Sequence, residues 1–174
     1  MRRRKGNPWD SPASGRPGFT ANEPPTNGVP VQVLIVISVT FALVFLAVGV
    51  HYEALSRTSN GLRRLGVTHR VRVLIAVLAA LTAHFVEIIL FAVGWKILIA
   101  EGVAELSVEV PTVIEILYFS ASTYTSLGYG DIVPLGDSGL LAGSQALTGL
   151  VLIAWTASFT YFEMLRFWGS DSSR

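Results

Sequence analysis

The sequence predicts an all-α membrane protein: three spanning helices, plus one short re-entrant helix that leads into a glycine-rich loop. Three observations predict it. Of the 174 residues, 51% are hydrophobic and only 14% are charged, and the mean hydropathy is +0.54, values foreign to a soluble domain of this size. Three apolar runs are each long enough to cross a bilayer as helices, which takes roughly 20 residues. Between the second and third runs lies the polar stretch Thr123-Tyr-Thr-Ser-Leu-Gly-Tyr-Gly-Asp131. Irregular backbone survives at membrane depth only where protein or a water-filled cavity surrounds it.

Residues 1–30 are rich in Gly, Pro, Ser and Asn, with Arg2, Arg3, Arg4 and Lys5 at the tip. Such a segment cannot bury apolar surface and is expected to be a disordered tail. The basic tip reads either as solvated or as a contact for anionic lipid. It is not a secretory signal peptide, because the apolar run starts about 25 residues after the charges and is too long for one.

Residues 31–53 form the first expected span. Val31 to Val50 is interrupted only by Gln32, Ser38, Thr40 and Gly49, and His51, Tyr52 and Glu53 are expected to mark its interfacial end. Residues 54–70 read as a basic connector. Arg57, Arg63, Arg64, Arg70 and Arg72 lie in or beside it, with Gly61 and Gly66 as breakers. An arginine excess in a short loop predicts the cytoplasmic side, which puts the amino terminus outside. A voltage sensor needs its arginines inside a spanning helix, and these lie outside the apolar runs.

The second span covers Val71 to Ala100 and carries His84 and Glu87, three apart and so on one helical face. Ionisable residues inside a membrane are functional candidates. Three readings stand: a mutually satisfied polar pair, a gating or pH-sensing element, or part of a metal site. Two ligands from one helix are too few for the last unless others join them. Glu101, Glu105 and Glu109 follow. This acidic loop either concentrates cations at an outer mouth or is merely solvated.

Thr112-Val-Ile-Glu115 has the form of a capping box, in which Thr112 caps a helix and Glu115 reaches back to the cap amide. The helix it starts runs to about Thr125, too short to span. Its carboxyl end then points into the membrane interior, where the negative end of the helix dipole favours a cation. Leu140 to Leu165 form the last span, studded with small and polar residues such as Ser144, Gln145, Thr148 and Gly149. These suit close helix packing or a wet cavity. Residues 168–174 read as a short tail, with no room for a nucleotide- or calcium-binding domain.

The run Ser126-Leu-Gly-Tyr-Gly130 resembles the selectivity filter of potassium channels, which reads Thr-Val-Gly-Tyr-Gly. Ser126 stands in place of threonine and Leu127 in place of valine. The resemblance covers residues 71–167 and is tight from Tyr118 to Pro134. It implies the minimal pore of that family: outer helix, pore helix, filter and inner helix, with the first span added. It implies that Ser126, Leu127, Gly128, Tyr129 and Gly130 form the filter. Potassium would be the permeant ligand, bound through Ser126, Leu127, Gly128 and Tyr129. Thr125, Asp131 and Glu115 would support the loop, and Gly149 would lie near a gating hinge or serve as a packing glycine. One loop cannot surround an ion and no internal repeat is present, so the resemblance implies a homotetramer in membrane lipid.

The expected function is passive potassium conduction across the plasma membrane. The rival readings are a less selective cation channel and a non-conducting scaffold or modulatory channel subunit. No cysteine is present, which excludes a disulfide framework and thiolate metal sites. No catalytic constellation, cofactor motif or nucleic-acid partner is expected.

Overall fold

The computed structural model describes residues 30–64, 66 and 68–168. Of the expected tails, 1–30 and 168–174, all but residues 30 and 168 lie outside the described residues. In chain order the elements are α1 (Val31–Arg64), α2 (His69–Ala100), β1 (Glu105–Leu106), α3 (Val113–Tyr124), β2 (Pro134–Leu135) and α4 (Ser138–Trp168). Helices α1, α2 and α4 are long and apolar enough to cross a membrane.

Helix α1 corrects the expected boundary at residue 53. It runs on to Arg64, so most of the expected connector is helical. At 1.5 Å per residue its 34 residues reach about 51 Å, well beyond the roughly 30 Å hydrocarbon core. The reason is a stripe of buried side chains at helical spacing. Val36, Thr40, Leu43 and Ala47 continue without a break into His51, Leu55 and Leu62. Hydropathy falls after Val50, while packing carries the helix onward. His51 is therefore buried against its neighbours.

Helix α2 ends in a Schellman turn. Gly102 takes φ 65°, the Val103 amide donates to the Leu98 carbonyl at 2.9 Å and the Gly102 amide to Ile99 at 3.0 Å. The chain then meets a feature that period-based reading does not see. Strands β1 and β2 pair antiparallel, Glu105 opposite Leu135 and Leu106 opposite Pro134. The Ser107 amide extends the ribbon by donating to the Val133 carbonyl at 2.9 Å. The acidic loop is thus stapled to the chain that leaves the glycine-rich segment.

The expected capping box opens α3. The Thr112 hydroxyl accepts from the Glu115 amide at 3.3 Å, and the Glu115 carboxylate accepts from the Thr112 amide at 2.7 Å. The bond from the Thr112 amide holds the Glu115 carboxyl below its ordinary pKa.

Helices α2, α3 and α4 meet around one buried polar chain. The Trp95 indole donates to the Gln145 side-chain oxygen at 2.8 Å. The Gln145 amide donates to the Ser120 carbonyl and hydroxyl at 3.0 and 2.8 Å. The Ser120 hydroxyl donates to the Ile88 carbonyl at 2.8 Å. All three side chains are fully buried, and every donor in the chain finds an acceptor, as polar groups in a low-dielectric interior require.

This chain generates a prediction. Gln145→Leu keeps the volume but strands the Trp95 N–H. A loss of about 1–2 kcal/mol of stability is expected, read as a lower unfolding midpoint in detergent. An unchanged midpoint would show that the chain does not hold the helices together.

Candidate functional site

The loop that follows α3 hangs from a single residue. Thr125 ends the helix with its amide on the Ala121 carbonyl at 3.1 Å, and the Ser126 amide tightens the turn onto Thr123 at 2.9 Å. The amides of Leu127 and Gly128 then both donate to the Ser122 carbonyl, at 3.0 and 3.2 Å. The Tyr129 amide reaches the Ser122 hydroxyl at 3.4 Å. Every peptide in the described chain is trans, so each N–H opposes the carbonyl of its own peptide unit. Drawing three successive amides toward Ser122 therefore turns the carbonyls of Ser126, Leu127 and Gly128 the other way.

The dihedral angles say the same. Ser126, Gly128 and Gly130 take φ values of 57°, 51° and 82°, while Leu127 and Tyr129 keep negative φ. Alternating handedness is the backbone pattern that gathers successive amides on one side and leaves the carbonyls on the other. Glycine takes the positive angles freely. At Ser126 the left-handed conformation costs about 1–2 kcal/mol, a strain that reading the glycines alone does not anticipate.

Further contacts brace the loop. Tyr129 stacks on Tyr118, with ring centroids 6.1 Å apart and planes 9° off parallel. The Tyr118 hydroxyl donates to Asp131 at 2.9 Å, and the other Asp131 oxygen accepts from the Ile132 amide at 3.0 Å. The Thr125 hydroxyl turns back to the Ala121 carbonyl at 2.8 Å. Glu115 lies at the opposite end of α3, about 15 Å up the helix from Thr125, and its hydrogen bonds go to Thr112. Leu127 and Tyr129 are 58% and 66% exposed on the single chain.

Gly149 lies in the unbroken helix α4, against the end of α3. A β-carbon there would fall 1.9 Å from the Tyr124 carbonyl oxygen. The glycine lets α4 touch the backbone that launches the loop.

The His84–Glu87 pair is part of a larger cluster. The Glu87 carboxylate is fully buried and meets His51 Nδ1 at 2.8 Å. Its second oxygen accepts a short bond from the Tyr124 hydroxyl and faces His84 Nδ1 at 3.2 Å. Thr156 on α4 touches Nε2 of both rings, at 2.9 Å for His84 and 3.3 Å for His51. One carboxylate thus ties α1 and α2 to the last residue of α3. The sequence reading missed His51, Tyr124 and Thr156. The four-residue step from Ala47 to His51 was the available signal for the first.

A helix that stops short inside a membrane bundle, followed by a loop with its carbonyls turned outward, defines a pore-loop membrane channel. A family model described as "Ion channel" matches residues 73–164, more than half of the chain. The chain belongs to this family of pore-loop ion channels, of the two-span, potassium-channel type, and α1 lies outside the matched region. A search of curated proteins and a search of solved structures returned no match.

Gly149→Ala tests the α3–α4 approach. Backbone cannot yield as a flexible side chain would, so α3 has to shift. A loss of about 1–3 kcal/mol is expected, seen as a lower midpoint or a smaller folded fraction. Wild-type stability together with altered open probability would instead mark the glycine as a hinge.

Proposed function

We propose that four copies of this chain form a potassium-selective channel in the plasma membrane, conducting K+ passively along a four-fold axis. The observation that carries the reading is the run of outward-turned carbonyls at Ser126, Leu127 and Gly128. Backbone oxygens arranged in this way replace the hydration shell of a cation. Tyr129 extends the run and the Ser126 hydroxyl supplies its inner end. The dipole of α3 points its negative end at the same place.

The exposure of Leu127 and Tyr129 on one chain supports assembly, since apolar surface of this kind is covered by neighbours. So does the limited burial of the spans, whose apolar stretches are 22–33% buried within one chain. The remainder is left for lipid and for other copies. Pairing of β1 with β2 draws Glu105 beside the chain leaving the filter, where negative charge raises the local cation concentration. The arginines of residues 57–72 favour a cytoplasmic position for that end of α1, which has the filter entered from outside.

Reconstituted liposomes test the reading. Wild-type protein is expected to carry K+ in strong preference to Na+. Gly130→Ala forces a β-carbon onto φ 82°, a strain of about 1 kcal/mol or more repeated in each copy. Flux or selectivity should be lost while the assembled species still migrates at tetramer size. Ser126→Ala should keep the preference for K+ and weaken block by internal Ba2+. Wild-type flux in Gly130→Ala would remove the loop from the ion path, and equal K+ and Na+ flux in the wild type would favour a non-selective channel.

A further inference from the structure

Two of the chain's three histidines converge on one buried carboxylate. Ligand atoms of His51, His84 and Glu87 all lie within 4.8 Å of one another. Imidazole nitrogen with one carboxylate oxygen is the donor set of many zinc centres. A tetrahedral zinc with bonds near 2.0–2.2 Å needs its donors about 3.3–3.5 Å apart. His51 Nδ1 lies 2.8 Å from one Glu87 oxygen and His84 Nδ1 3.2 Å from the other, each near that spacing. The Tyr124 hydroxyl, 2.9 Å from His84 Nδ1 and bonded to Glu87, is a further oxygen beside them.

The far sides of the rings point the same way. Both Nε2 atoms face the single hydroxyl of Thr156. That hydroxyl has one proton and two lone pairs, so it can accept from two Nε2–H groups but donate to only one bare nitrogen. In the tautomer where both Nε2–H groups donate to Thr156, both Nδ1 lone pairs turn on the Glu87 carboxylate. Lone pairs from three groups facing inward repel unless a positive charge lies between them. A proton relieves one ring; a divalent cation relieves both rings and the carboxylate at once. Ligand histidines usually donate their second N–H to an oriented oxygen in this manner.

A way in exists. His84 and Tyr124 line an apolar cavity of about 490 Å³, together with Thr125 and Thr156, and the His84 side chain is 14% exposed. His51 and Glu87 behind it are closed off.

We propose that His51, His84 and Glu87 bind a divalent transition-metal ion of the zinc class, with Tyr124 as the fourth donor and Thr156 orienting the rings. The ion would clasp α1 to α2 next to the residue that launches the filter. This stands independently of which ion the pore conducts.

The test titrates purified, metal-stripped full-length protein with Co2+, whose visible absorption is intense when it is four-coordinate with nitrogen and oxygen donors. Saturation at one Co2+ per chain, and bleaching by Zn2+, are expected. His51→Ala should lose the band. Thr156→Val leaves the three ligands in place and should bind about 10–100-fold more weakly. His69→Gln, which alters the first residue of α2, should match wild type. Three outcomes would overturn the proposal: no saturable uptake by folded wild-type protein, uptake without the four-coordinate band, or an unchanged band in His51→Ala. The first of these would leave a proton as what closes the cluster.

Discussion

Three amides directed at Ser122 are the constraint on which this structure rests. A loop inside a membrane has no water to satisfy its peptide groups. Spending the N–H groups of Leu127, Gly128 and Tyr129 on one serine leaves the carbonyls unspent and facing outward. In the proposed assembly a cation or water satisfies them. Ser122 can do this because α3 ends two residues later, and the positive φ angles at residues 126, 128 and 130 fold the loop back across it. The rest of the pore unit holds α3 in position. The capping box satisfies its outer end, the Trp95–Gln145–Ser120 chain fixes its middle, and Gly149 admits α4 against its inner end. The β1–β2 ribbon and the Tyr118–Asp131 bond pin the chain that leaves.

Helix α1 lies outside the family match yet is bonded into the same machinery. His51 and Tyr124 both bond to Glu87, so the added helix and the end of α3 share one buried acceptor. A displacement of α1 near His51 would require one of these bonds to break or to lengthen. In a low-dielectric interior such bonds are costly to leave unmade. About two turns further along α1, Ser59 donates to Glu163 of α4 at 2.8 Å. The added helix is therefore tied to the pore unit at two depths, beyond what apolar contact provides.

Much of this was legible in the sequence where local chemistry decides the outcome. The three apolar runs became α1, α2 and α4. Thr112 and Glu115 cap α3 as their spacing requires, and Gly128 and Gly130 take the positive φ angles that only glycine adopts freely. What was not legible depends on tertiary partners. The end of α1 was placed at the drop in hydropathy, but Leu55 and Leu62 extend the buried stripe past it. His84 and Glu87 were seen as a pair because they share a helix, whereas His51, Tyr124 and Thr156 arrive from other elements. Strands of two residues have no period to read. Ser122 looked like any small residue of a helix, and its role appears only when the loop folds back onto it.

The account's central claim is that the carbonyls of residues 126–129 line a four-fold ion path. Crystals of the assembled protein grown in thallium or rubidium would test it most directly, through the anomalous scattering of those ions. The account predicts a row of peaks on a four-fold axis, each surrounded by carbonyl oxygens from Ser126, Leu127, Gly128 or Tyr129. An assembly without that axis, or ordered ions absent from these carbonyls in a well-ordered loop, would contradict it.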